Sequence, residues 1–157
     1  MSTPRTETPS IDARTAPYAA LLLRVGLGAM LLAHGLLLKV VTFGVAGTAG
    51  YFQSLGYPAV FAYLVILGEI GGGLALILGV WTRWIALLML PILIGATLQH
   101  LGNGWVFSAK GGGWEFPVFW IVALVVQALL GDGAYALRPA FLTGRSARLG
   151  AAVTETR

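Results

Sequence analysis

The chain has 157 residues, of which 57% are hydrophobic and 10% charged, with a formal net charge of +4 and no cysteine. So little charge cannot cover an ordinary water-soluble surface, and the missing cysteines exclude thiol–disulfide chemistry, Cys-ligated zinc and iron–sulfur clusters built by this chain alone. One membrane domain remains, because four spans of about 20 residues and their tails use nearly the whole length.

Residues 1–17 carry Arg5, Glu7, Asp12 and Arg14 among threonines and prolines and read as a disordered N-terminal tail. It does not open a signal peptide, since the apolar run Tyr18–Val41 exceeds a normal signal core. That run is the first span. On a wheel at about 100° per residue, Arg24, Gly28, Gly35 and Lys39 fall within about 60° of one another, with His34 about 80° to one side. A single polar face on an apolar helix points into the bundle; for Arg24 and Lys39 the alternative is that they snorkel to opposite interfaces. Thr42–Tyr57, broken by Gly44, Gly47, Gly50 and Gly56, is too short to span. Tyr51, Phe52 and Tyr57 would seat it as a short interfacial segment between spans one and two.

Span two runs from Pro58 to Val80 and contains one carboxylate, Glu69. It lies about 11 residues in, roughly 16 Å deep, near the middle of the hydrocarbon. A carboxylate there is neutral or paired and faces protein or water. Gly68, Gly72, Ala75 and Gly79 form a stripe beside it along which another helix can approach. The link Trp81–Trp84 is short enough to make spans two and three antiparallel neighbours. Span three, Ile85–Leu101, holds Pro91, which should kink it, and ends in Gln99 and His100. Gly102–Gly113 is a glycine-rich loop with Lys110, and its triple glycine leads into the last span rather than cradling phosphate. Span four, Trp114–Leu130, starts at Glu115 and contains Gln127; Gly131-Asp132-Gly133 ends it. The membrane domain is thus residues 18–137, followed by a basic tail, 138–157.

The expected fold is all-α, a transmembrane four-helix bundle. Arg5, Arg14, Arg83, Arg138, Arg145, Arg148 and Arg157 fall on one side, against Lys39 and Lys110 on the other, so both termini are expected in the cytoplasm. The basic tail then faces an anionic leaflet rather than nucleic acid. Depth sorts the polar groups into an outer set, His34, Lys39, Glu69, Gln99, His100 and Glu115, and an inner set, Arg24, Gln127 and Asp132.

The order of short motifs resembles the DoxX-like family of small four-span membrane proteins. The motifs are Arg24 with Gly28, His34-Gly35 and Lys39; Tyr51-Phe52 to Leu55-Gly56-Tyr57-Pro58; Glu69-Ile70-Gly71-Gly72-Gly73-Leu74 to Leu78-Gly79-Val80-Trp81-Thr82-Arg83; Gly112-Gly113-Trp114-Glu115-Phe116-Pro117; and Gly131-Asp132-Gly133-Ala134-Tyr135. Together they cover roughly Leu23 to Leu137. The chain departs from the family's usual ending at Asp132 and at Ala136-Leu137-Arg138. The resemblance implies the inner membrane and association with membrane redox systems, often beside a partner protein.

Two classes of function follow. In the first, the protein is an accessory or quinone-interacting subunit of an oxidoreductase, with His34 and Glu69 exchanging protons with a quinone headgroup and the other outer polar residues lining the pocket. In the second it is a non-catalytic anchor or scaffold whose buried polar groups fix helix packing. Proton or small-solute transport is a weaker third reading, because no internal repeat with paired broken helices is found. His34 and His100 at similar depth meet one requirement of a haem site, but two lone histidines do so by chance, and neither haem nor a metal is expected. The glycine stripes would serve a homo-oligomer as readily as intramolecular packing.

Overall fold

The computed structural model describes residues 11–137. The basic tail 138–157 and the first ten residues of the N-terminal tail, with Arg5, Arg138, Arg145, Arg148 and Arg157, lie outside the described residues. Among the described residues all regular structure is helical: α1 (Ala16–Leu32), which continues as a π-helical segment (Ala33–Thr42), then α2 (Val45–Ser54), α3 (Val60–Leu78), α4 (Thr82–His100) and α5 (Glu115–Leu130). Three helical stretches, Ala16–Thr42, Val60–Leu78 and Thr82–Asn103, are long and apolar enough to cross a membrane, and Glu115–Leu130 is a shorter apolar fourth. Side chains such as Leu22, Leu64, Leu67, Leu88, Phe119 and Leu129 stand on the outside. On a water-soluble domain they would form one large aggregating patch; on a membrane bundle they are the lipid face.

The long helices form a ring in which α1 packs on α3, α3 on α4, α4 on α5, and α5 closes back on α1. Its centre is filled by Leu27, Leu31, Leu76, Met89, Leu93 and Leu124. Glycine sets the closest seam. A Cβ on Gly28 would lie 2.6 Å from the Gly73 carbonyl oxygen, and one on Gly73 would lie 2.8 Å from that of Gly28. Backbone therefore meets backbone between α1 and α3, as small residues allow where no hydrophobic force drives helices together. The other face of α3 is also small, with Gly68 against Ile92 and Gly72 against Met89.

Span one differs from expectation in its winding. The α-helix changes at Ala33 to i→i+5 hydrogen bonding, which holds as far as Thr42. Where the winding ends, Phe43 N–H donates to Leu38 at 2.8 Å and the Thr42 hydroxyl to Leu37 at 2.7 Å. The segment after it is an ordered helix, α2, rather than only a glycine-broken interfacial stretch. The hydroxyl of its buried Thr48 donates to the Lys39 carbonyl at 2.9 Å, which gives that oxygen a partner beside the π winding.

Between α3 and α4 the chain reverses at Gly79, which is left-handed at φ 74°. Gly79 N–H bonds Leu76 at 3.1 Å and Val80 N–H bonds Ala75 at 2.9 Å, the paired closure of a glycine-ended helix. Trp81 also takes a positive φ, 48°, a strained value for a non-glycine residue. The helical state of α4 runs through Pro91 without a break. After α5, residues 131–137 fold back as a strap: Ala134 N–H bonds Pro17 at 2.9 Å, and Leu137 N–H bonds Leu78 at 3.0 Å.

Candidate functional site

The outer polar site is built where the π segment crosses α3. A Cβ on Gly35 would lie 2.8 Å from that of Glu69, so only glycine lets the carboxylate side of α3 come so near. Lys39 Nζ then donates to Glu69 Oε1 at 2.9 Å and lies 2.7 Å from Oε2. The second contact is a close charge contact without hydrogen-bond geometry. The side chains keep 19% and 7% of their exposure, so this is a largely desolvated ion pair. Such a pair offsets the cost of burial only when both members stay in place.

His34 stands one π turn before Lys39, at the junction of the two windings. Its Nδ1 lies 2.9 Å from the Met30 carbonyl oxygen. A carbonyl only accepts, so the proton of the neutral ring sits on Nδ1 and Nε2 keeps its lone pair. The ring packs edge-on to Trp120 of α5 at 5.0 Å and lies within electrostatic reach of Glu69. Nε2 thus has a base's lone pair beside a buried ionic site.

The remaining outer residues are engaged elsewhere. His100 Nδ1 lies 3.1 Å from the carbonyls of both Gly111 and Gly112, and Asn103 Nδ2 donates to the same two at 2.9 and 3.0 Å. Glu115 Oε1 accepts from the Phe107 N–H at 2.7 Å. Both residues order the 101–114 loop, which Trp105 and Trp114 close at 4.4 Å between ring centres. Gln99 is exposed on α4. The structure therefore joins Lys39 with Glu69 and sets His34 beside them, while His100 and Glu115 hold the loop.

At the opposite end Arg24 is fully buried. Nη2 donates to Ala134 of the strap at 3.0 Å and Nη1 to Ile77 at 3.4 Å, one of the last carbonyls of α3. The positive charge thereby meets the negative end of a helix, and Asp132 acts on it electrostatically. A Cβ on Gly79 would collide with Nη1, so the left-handed turn and the arginine need each other. Gln127 Nε2 donates to Gly131 at 2.8 Å, and Arg83 Nε to Ala128 at 2.9 Å. Every one of these contacts secures a helix end.

Sequence reasoning missed Trp120, Thr48 and Asn103. A tryptophan in an apolar helix looks the same whether it faces lipid or protein, whereas Thr48 and Asn103 carried a weak signal as polar residues among glycines. Among the described residues no group of three or more His, Asp or Glu side chains is placed to hold a metal ion.

The DoxX family model matches residues 19–102. The chain is 30% identical over 131 residues to "Putative oxidoreductase CatD" of Bacillus subtilis (strain 168), covering 80% of this chain and 88% of that protein. It is 50% identical over 44 residues to "Inner membrane protein YqjF" of Escherichia coli (strain K12), covering 28% of this chain and 34% of that one. No solved structure matches it. On the family model and the Bacillus relative together, this chain belongs to the DoxX family.

Proposed function

We propose that this protein is an accessory subunit of a membrane redox system that handles a quinone, with His34 and Glu69 exchanging the protons. The buried Lys39–Glu69 pair beside a histidine with a free Nε2 carries the reading. Oxidation of a quinol releases two electrons and two protons. One proton passes to Nε2 of His34 and one to the Glu69 carboxylate, Lys39 Nζ then remaining as the cation, and the two electrons pass to a partner redox protein. Reduction runs the same steps backward. The name of the Bacillus relative, "Putative oxidoreductase CatD", supports the class of chemistry. The protein sits in the inner membrane with both termini in the cytoplasm, which reporter fusions at each end would test.

Glu69→Gln keeps shape and hydrogen-bonding capacity but exchanges no proton. In membranes holding normal amounts of folded protein, Glu69→Gln and His34→Gln should each abolish quinone-linked activity. Full activity of both would sink the proposal.

A second reading, a scaffold without chemistry, is favoured by one observation: Arg24, Arg83 and Lys39 are each engaged by helix carbonyls or a carboxylate. It expects both variants to retain the partner protein and the phenotype.

A further inference from the structure

The apolar helices do not all reach the same height. Arg83 Nε on the Ala128 carbonyl holds the inner ends of α4 and α5 level. Counted through Asn103, the α4 stretch has 22 residues and α5 has 16, so α5 stops about 9 Å lower at 1.5 Å per residue. At about 24 Å it also falls short of a hydrocarbon core of about 30 Å. The 101–114 loop fills this step by dipping before it rises. The Gly104 carbonyl accepts from Trp114 N–H and the Trp105 carbonyl from Glu115 N–H, both at 3.1 Å, and Phe107 packs on Phe116 at 5.5 Å between ring centres. Only then does the chain climb to Gly111 and Gly112, whose carbonyls meet His100 and Asn103. Trp105, Val106 and Phe107 therefore stand level with the first turn of α5, below the end of α4.

These three consecutive side chains are 55%, 52% and 61% exposed. An exposed apolar run of this kind marks a membrane or protein contact, and three features match it to lipid. Backbone at membrane depth must find its partners inside the protein. Here the carbonyls of Gly104, Trp105 and Val106 accept from Trp114, Glu115 and Ala109, while Phe107 N–H donates to the Glu115 carboxylate. Glycine makes the dip possible, because a Cβ on Gly113 would collide with the Trp105 and Val106 carbonyl oxygens. Secondly, Phe116, on which Phe107 lies, is one turn from Phe119 on the outside of the bundle, so the run continues the lipid face without a break. Thirdly, Ser108 and Lys110 are exposed where the chain climbs away, a polar group and a cation at the height of the headgroups.

We infer that residues 105–107 form a wedge inserted into the leaflet on the Lys39 side, its partner being the boundary between phospholipid headgroups and acyl chains, with Lys110 at the level of the phosphates. The wedge supplies the apolar height that α5 lacks. It stands independently of the quinone reading.

The chain has no cysteine, so a single introduced one carries a nitroxide at a unique place. In the full-length protein in nanodiscs of phosphatidylcholine and phosphatidylglycerol, the relative access of oxygen and of a water-soluble nickel chelate gives each label its depth. Labels on Val106→Cys and Phe107→Cys are expected roughly 5–10 Å below the phosphates. A label on Phe119→Cys should lie deeper, and labels on Ser108→Cys and Lys110→Cys at the phosphates or above them. Phe107→Asp changes only an exposed side chain and should raise the Val106 label by roughly 5 Å, into reach of nickel. Gly113→Val, which pushes on the two carbonyls from inside, should raise it likewise. Nickel access at positions 106 and 107 equal to that at 110 puts the loop in water and overturns the inference, leaving the run as a docking face for a protein. Labels at 106 and 107 shielded from oxygen and nickel alike also overturn it, since a second copy of the chain would then cover them.

Discussion

Lys39→Met removes one member of the buried pair while keeping an apolar side chain of similar length. The wild-type pair is itself close to break-even, because its Coulomb gain is set against the desolvation of two charges. The variant leaves Glu69 without a cation in a site where its side chain keeps 7% of its exposure. Removing one partner of a buried pair leaves an uncompensated charge, which costs about 3–5 kcal/mol. Glu69→Leu alone should cost less, since Lys39 retains 19% of its exposure and can turn toward the outer interface. The double variant should recover most of the loss, a coupling of about 3 kcal/mol. Reversible unfolding in mixed micelles measures all four proteins. Strict additivity of the two single changes would refute the pairing.

Gly28→Leu forces a side chain into the Gly73 carbonyl and should cost about 3 kcal/mol or prevent folding, whereas Gly71→Ala, with nothing within 4 Å, should be neutral or stabilise by up to about 1 kcal/mol; thermal unfolding in detergent compares them. Arg24→Leu should release the strap, seen as faster amide exchange at Ala134 and Leu137 and about 3 kcal/mol of lost stability. Arg24→Lys should restore little, because an ammonium does not span two carbonyls as the guanidinium fork does. Asn103→Ala should loosen the outer loop by about 1 kcal/mol, read as faster exchange over 101–114 with the bundle unchanged.

The spans were legible because hydropathy and length leave few choices, and a close helix approach to α3 was legible in its small-residue stripe, but not that Gly73 meets α1 while Gly72 faces Met89 of α4. Which of Lys39 and His34 pairs with Glu69 was not legible. A wheel at about 100° per residue presupposes α winding, and from Ala33 onward the chain winds as a π-helix. His34 and Lys39, five apart, therefore stand one turn from each other instead of on diverging faces. Depth likewise grouped His100 and Glu115 with the outer pocket, but depth does not give azimuth, and both side chains turn to the loop beside them. Trp120 left no mark at all, since an apolar helix does not tell which of its aromatic side chains turns inward, here onto His34.

The strap gives this protein an order of assembly. The Ala134 carbonyl that completes the binding of Arg24 lies 110 positions later in the chain, after the last of the described helices. Until then the first helix carries a guanidinium that only Ile77 can begin to cover, once α3 has been inserted. A chain halted before residue 134 thus leaves the Arg24 guanidinium with the Ile77 carbonyl and without that of Ala134. Chains truncated at residue 130 should be degraded in a growing cell while those truncated at 137 accumulate, and Arg24→Leu should erase much of that difference.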